Sequence, residues 1–263
     1  MASIRGKPTL YDVPVSNHGA RVRMVLYAKK LTDSGAVKIS NPNTHFADGG
    51  IKSAEYMKLS PQAKLPIIAV EAETPSAPPP FVIAETNAIF SYIVDRYSDV
   101  GPSFECETSE ARAVSRMITS IHDNYISAIQ GCLYKPMDAS ERLIKLKELL
   151  KQLDVLEHHI CALGGPYVGG SVMSSGDCTL FPTIIFVEYI APKFGWPDVF
   201  ATRPKLGSWW KHMRSGDGGQ DDFCNRVYEE VKNGLLAWDE NGRWEKVGIT
   251  EQIEKGLLDE LTA

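Results

Sequence analysis

Ser60-Pro61-Gln62-Ala63-Lys64-Leu65-Pro66-Ile67-Ile68-Ala69-Val70 holds a helix stop, a loop and a buried strand in one short stretch. Pro61 disfavours α-conformation at Ser60 and so ends the short helix expected over 53–59. Leu65 and Pro66 then lead into an apolar run with the look of a strand covered on both faces. Phe81-Val82-Ile83-Ala84 is a second such run, and Thr74-Pro75-Ser76-Ala77-Pro78-Pro79-Pro80 between them is stiff and non-helical, so a hairpin is the simplest pairing.

Working outward, the stretch 8–13 is β-rich and closed by Pro14, which predicts a first strand. Ser16 and Asn17 are good N-caps for a helix over 17–31, with Val22, Val25, Leu26 and Lys29 on one stripe and Arg21 and Arg23 off it. A strand over 37–40 follows, then a polar loop with Gly49-Gly50. With a helix over 86–97 the order is β-α-β-α-β-β-α, one α/β unit spanning 1–98. A linker over 99–108 follows, and beyond it strand signals nearly vanish: 109–263 reads as all-helical with an extended tail. Ala113, Met117, Ile121 and Ile126 mark a helix over 109–133. Leu143, Leu146, Leu150, Leu153, Ile160 and Leu163 mark one over 139–163, ended by Gly164-Gly165-Pro166. Further helices are expected over 174–191, 204–213 and 227–236, and Ile249, Ile253, Leu257 and Leu261 suggest one amphipathic helix in the tail.

Composition narrows the function classes. The chain has 263 residues, 43% hydrophobic and 23% charged, and a net charge of −5. That is an ordinary globular balance, with no block of basic residues to grip nucleic acid or anionic lipid. No window approaches the ~18 apolar residues of a membrane span, and the start has no signal-like apolar run, so a soluble cytoplasmic protein is expected. Cys106, Cys132, Cys161, Cys178 and Cys224 are odd in number and lack a C-x-x-C spacing, which predicts reduced, mostly buried thiols and no zinc site. Asp217-Gly218-Gly219 lacks calcium-loop spacing, His158-His159 reads as a surface pair, and Trp209-Trp210 as half core and half boundary.

Several short patterns carry chemistry. A cis bond at Pro66 would turn the backbone so that Leu65 offers its N–H and C=O to an extended peptide ligand. Glu85-Thr86 opens a helix, where free N–H groups and the positive dipole end favour a carboxylate. Ser174 and Asp177 have the spacing of a capping box, with Met173 and Cys178 placed for a hydrophobic staple.

Taken in order, Ser16 five residues before Arg21-Val22-Arg23, the run from Ser60 to Pro66, Glu85-Thr86 and the all-helical second half are more specific than any one alone. The chain resembles the cytosolic glutathione transferases from about residue 8 to 236, and its start looks closest to the serine-type classes, phi, theta and zeta. The resemblance implies a thioredoxin-like first domain and an all-α second one. Leu65 and Pro66 would clamp the cysteinyl part of glutathione, Glu85 and Thr86 its γ-glutamyl end, and Lys52 and Lys64 would lie near its glycyl carboxylate. Ser16 would donate to the sulfur. A free thiol has a pKa of about 8.5, and lowering it by two units takes about 2.7 kcal/mol, within reach of one charge-assisted hydrogen bond plus a helix N-terminus.

Asn17, His18 and Tyr11 are alternative donors; no cysteine stands at 16–18, which argues against the thiol–disulfide members. The family pattern further implies a cytoplasmic homodimer acting in detoxification, with glutathione as cosubstrate and no metal. An apolar electrophile would meet the sulfur between the two units, with Met117, Ile121 and Tyr125 lining its pocket. Two alternatives stand beside this: a non-catalytic scaffold or ligand carrier on the same fold, and a glutathione-dependent isomerase or ether-cleaving enzyme.

Overall fold

The computed structural model describes residues 5–46, 49–72, 80–196, 198–215 and 221–258. The chain divides into two compact units, 1–103 and 104–263.

In the first unit, β1 (Arg5–Tyr11) is followed by α1 (Asn17–Ala28), β2 (Lys38–Ser40), α2 (Pro42–His45), a 3₁₀ turn (Gly50–Lys52) and α3 (Ala54–Leu59). The hairpin β3 (Ile67–Ala72) and β4 (Phe81–Ile83) and the helix α4 (Thr86–Arg96) complete it. The sheet order is β2-β1-β3-β4, with β2 parallel to β1 and the β1–β3 and β3–β4 pairs antiparallel. The expected order therefore holds, with α2 and the 3₁₀ turn as additions. The Pro-rich excursion, 74–80, lies outside the described residues except for Pro80.

β1 starts earlier than expected and ends before Asp12, so Pro8 sits inside a central strand. The register to β3 shifts between Arg5 and Pro8, and such an irregularity is where a residue without an N–H can be accommodated. The expected stripe of Val22, Val25, Leu26 and Lys29 is buried, but so are Arg21 and Arg23, which lie off it. The Lys29 ammonium donates to the carbonyls of Tyr97 (3.0 Å) and Val100 (2.6 Å), which satisfies its charge in place of water.

In the second unit, α5 (Ser109–Ile121) runs into a π-helical turn (His122–Ile126), α6 (Ser127–Ile129) and a 3₁₀ turn (Gln130–Leu133). α7 (Ala139–His159), α8 (Ser175–Ile190), a 3₁₀ turn (Ala191–Phe194), α9 (Pro204–Ser215) and α10 (Asp221–Glu240) follow. The buried face of α5 is Ala111, Ser115 and Ile118, continued by His122 and Ile126, not the Ala113-Met117-Ile121 stripe. On α7 the buried residues include Leu146, Leu149, Leu153, Leu156 and Arg142, whereas Leu163, beyond the helix end, is half exposed. Trp209 and Trp210 are both core, correcting the half-boundary reading, because each indole N–H finds a carboxylate: the buried Asp177 at 2.9 Å and the half-buried Glu188 at 2.8 Å.

The capping box is present. Ser174 caps α8, and Asp177 accepts from the Ser174 N–H (2.8 Å), its hydroxyl (2.9 Å) and the Val168 N–H (2.8 Å) as well as from Trp209. Burial pushes the Asp177 carboxyl up, against the pull of these donors. The tail forms two short helices, α11 (Arg243–Lys246) and α12 (Ile249–Glu254), in place of one, and Leu261 lies outside the described residues. Its anchor is Arg142, fully buried, which donates to Gln252 Oε1 (2.7 Å) and the carbonyls of Val247 (3.1 Å) and Lys135 (2.9 Å). The tail therefore packs on the body of its own unit.

Candidate functional site

Strand register decides which of the candidate residues meet. Tyr11 pairs with Ser40 in the parallel direction and with Ile67 in the antiparallel direction, and Ile68 pairs with Ile83. The C-terminal ends of β1, β2 and β4 and the N-terminal end of β3 thus share one edge of the sheet. Ser16 leaves that edge from β1, Leu65-Pro66 enters it before β3, and Glu85-Thr86 leaves it from β4. Five residues scattered over seventy positions are collected by hydrogen-bond ladders alone.

Ser16 is the N-cap of α1. Its Oγ accepts from the Gly19 N–H at 3.0 Å, and it is half-buried. The cap uses a lone pair, so the hydroxyl hydrogen remains a donor, and the first turn of α1 carries no acidic residue to offset its positive end. Asn17 is buried and His18 half-buried on the same turn. Tyr11 is elsewhere: only 4% exposed, it packs with Phe46, Tyr56 and Ile67 on the face covered by α2 and α3, its hydroxyl 3.4 Å from His45 Nε2. Burial, then the Glu71 carboxylate, pushes its phenol up.

The Leu65-Pro66 bond is cis, and Leu65 packs against the Tyr11 cluster. The loop before it is fixed by Tyr56, whose hydroxyl donates to the Lys64 carbonyl at 2.7 Å. Lys64 is exposed in this loop and Lys52 is exposed on the 3₁₀ turn, both in the connection that starts and ends at the shared edge. Glu85 stands at φ 66°, ψ 120°, a conformation that costs a non-glycine residue roughly 1–3 kcal/mol and that clusters at functional sites. It is the N-cap of α4, is exposed and makes no side-chain cap, while its carbonyl accepts from Ile89 at 3.0 Å. In the second unit, Met117 and Ile121 are half-buried and Tyr125 is 56% exposed, so these three are not core.

Sequence reading missed the support beneath Ser16. Arg23 donates to the Val13 carbonyl (2.9 Å) and the Pro14 carbonyl (2.6 Å) and pairs with Asp12, both side chains nearly solvent-free. Arg21, also buried, donates to Asn87 and ties α1 to the start of α4. The signal that could have found them is two arginines within three positions of an otherwise apolar helix, since charges there need internal partners. Among the described residues no group of three or more His, Cys, Asp or Glu could hold a metal ion, and no helix is long and apolar enough to cross a membrane.

Comparison with known proteins fits this arrangement. The family description "Glutathione S-transferase, N-terminal domain" matches residues 10–103, and "Glutathione S-transferase, C-terminal domain" matches 121–217. Glutathione S-transferase F10 of Arabidopsis thaliana is 26% identical over 189 residues, covering 68% of this chain and 82% of its own. The glutathione S-transferase-like protein OpS6 of Beauveria bassiana is 24% identical over 166 residues, covering 60% and 71%. The crystal structure of glutathione transferase F7 from Populus trichocarpa superposes with a TM-score of 0.64 at 20% identity, over 85% of this chain and 99% of the other, a likeness of fold.

Proposed function

Because this chain belongs to the glutathione S-transferase family, we propose that it is a glutathione transferase in which Ser16 activates the thiol. Leu65 offers its backbone to the cysteinyl part of the tripeptide. Glu85 pairs with the γ-glutamyl ammonium, and Thr86 with its carboxylate at the α4 N-terminus. Lys64 and Lys52 take the glycyl carboxylate. The thiol gives its proton to solvent, and the Ser16 hydroxyl and the α1 dipole hold the thiolate. The sulfur lone pair then forms a bond to an electrophilic carbon of an apolar second substrate, and the leaving group departs with its own electron pair. Met117, Ile121 and Tyr125 contact that substrate. Detoxification in the cytoplasm by a homodimer is the setting this reading carries.

The observation that carries the reading is the convergence of a serine cap, the cis Leu65-Pro66 bond and the unusual backbone of Glu85 on one sheet edge. The test is the ultraviolet thiolate absorbance of glutathione titrated into the wild type and Ser16→Ala at neutral pH. A band that forms with the wild type and collapses in Ser16→Ala, with binding retained, is the expected result. Binding without a band would favour the non-catalytic carrier or scaffold, and a band that survives Ser16→Ala would move the role to Asn17 or His18 on the same turn, since Tyr11 is buried elsewhere.

A further inference from the structure

We propose that Arg23, braced by Asp12, is the positioning residue for Ser16: its guanidinium fixes the turn that aims the serine hydroxyl at the glutathione sulfur. The inference rests on the reading above and adds residues to it that no sulfur or peptide contact requires. The turn from Val13 to Ser16 is closed by the Ser16 N–H donating to the Val13 carbonyl at 3.0 Å. Apolar packing does not hold it: Val13, Val15 and Ser16 are half-buried and Pro14 is exposed. What holds it is polar. One guanidinium reaches back along α1, the direction in which helical side chains lean, and takes the Val13 carbonyl at 2.9 Å and the Pro14 carbonyl at 2.6 Å.

The same guanidinium pairs with the Asp12 carboxylate, 0% exposed, which fixes the fork's orientation. Asp12 is pinned in turn by its own N–H, which donates to the Ser40 carbonyl at 3.0 Å, and by the close approach of Gly19. Gly19 is the residue whose N–H the Ser16 hydroxyl oxygen caps, so the network closes on itself. Arg23 therefore fixes the Val13 and Pro14 carbonyls on the entering side of the turn, while α1 fixes the leaving side through the Gly19 N–H on the Ser16 hydroxyl oxygen and the Ala20 N–H on its carbonyl at 2.9 Å. A lysine keeps the charge but cannot span two carbonyls and a carboxylate in one plane.

The test compares Arg23→Lys and Asp12→Asn with the wild type, alone and combined with Ser16→Ala, in three measurements: the pKa of bound glutathione from thiolate absorbance, the affinity for S-methylglutathione, and thermal stability. Misplacing a reacting group by about 1 Å can cost roughly a hundredfold, so Arg23→Lys is expected to raise the bound-thiol pKa by about one unit or more. S-methylglutathione, which presents no thiol, should bind within about threefold of wild type. In the Ser16→Ala background the same substitution should no longer move the thiol pKa, because its effect passes through the serine. Asp12→Asn, which changes no volume, should show a smaller shift of the same sign and carries the test should Arg23→Lys fail to fold.

A loss of stability with an unchanged thiol pKa would overturn the proposal, and so would a pKa shift that persists without Ser16. A wild type that forms no thiolate, or a Ser16→Ala variant that keeps it, would instead remove the reading on which this one rests.

Discussion

Replacing Gly19 by alanine sets two effects of known size against each other. Gly19 lies in the first turn of α1, and on propensity alone alanine in place of glycine in a helix gains up to about 1 kcal/mol. The space says otherwise. A Cβ at Gly19 would fall 1.7 Å from Asp12 Oδ1 and 2.0 Å from its Cγ, where real Cβ atoms never sit, so the whole carboxylate must move by more than an ångström. Asp12 is 1% exposed and paired with Arg23, and separating a buried ion pair costs roughly 3–5 kcal/mol. Net, Gly19→Ala should destabilise the protein by about 2–4 kcal/mol, opposite in sign to the propensity scale. Urea denaturation of both proteins reads the difference as a fall in midpoint at constant slope. The double variant Asp12→Ala/Gly19→Ala isolates the cause: with the carboxylate gone the methyl group has room, so the second substitution should add little to the first. An alanine variant as stable as wild type, or strictly additive losses in the double variant, would refute the close approach and the network built on it.

Three other outcomes follow from local geometry. Glu85→Gly relieves a backbone conformation that a side chain resists, so stability should hold or rise by up to about 1 kcal/mol while glutathione affinity, measured by calorimetry, falls at least about tenfold. Asp177→Ala leaves the N–H groups of Val168, Ser174 and Trp209 buried without their acceptor and should cost about 3–5 kcal/mol in thermal or urea unfolding, more than the roughly 1 kcal/mol of a cap alone. Burial pushes the Cys132 and Cys224 thiols up to about 12, so native protein should leave both unmodified by a thiol reagent at neutral pH. An unfolded thiol ionises near 8.5, and these groups are held neutral in the fold. Their contribution to stability is therefore complete below that pH and declines as pH rises from about 8.5 towards 12, which a series of melts checks.

Much of this architecture is short-range physics and was legible in the chain. The stop at Ser60-Pro61, the hairpin on either side of the Pro-rich excursion, the Ser16 cap and the Ser174–Asp177 box depend on residues three or four apart or on runs of a few side chains. Burial of charge was not legible. Arg21 and Arg23 look like the wet side of α1, and Arg142 looks like the wet side of α7. What buries them lies at a distance: Asp12 eleven positions before Arg23, Asn87 sixty-six after Arg21, and the Val247 carbonyl 105 after Arg142. In the leucine-rich α7, several stripes satisfy the same period, so packing selected Leu149 and Leu156 where spacing pointed to Leu143 and Leu163.

The sequence by itself determined the order of elements, their caps and stops, and the residue types fit to hold a tripeptide and its sulfur. Only the tertiary structure decided that Ser16, Leu65-Pro66 and Glu85-Thr86 share one edge, because that follows from which strands pair and in what register. It alone decided, too, that a buried guanidinium stands under the serine. Local preference is set within a turn of chain, whereas a register or a buried ion pair exists only once distant segments have displaced the water between them.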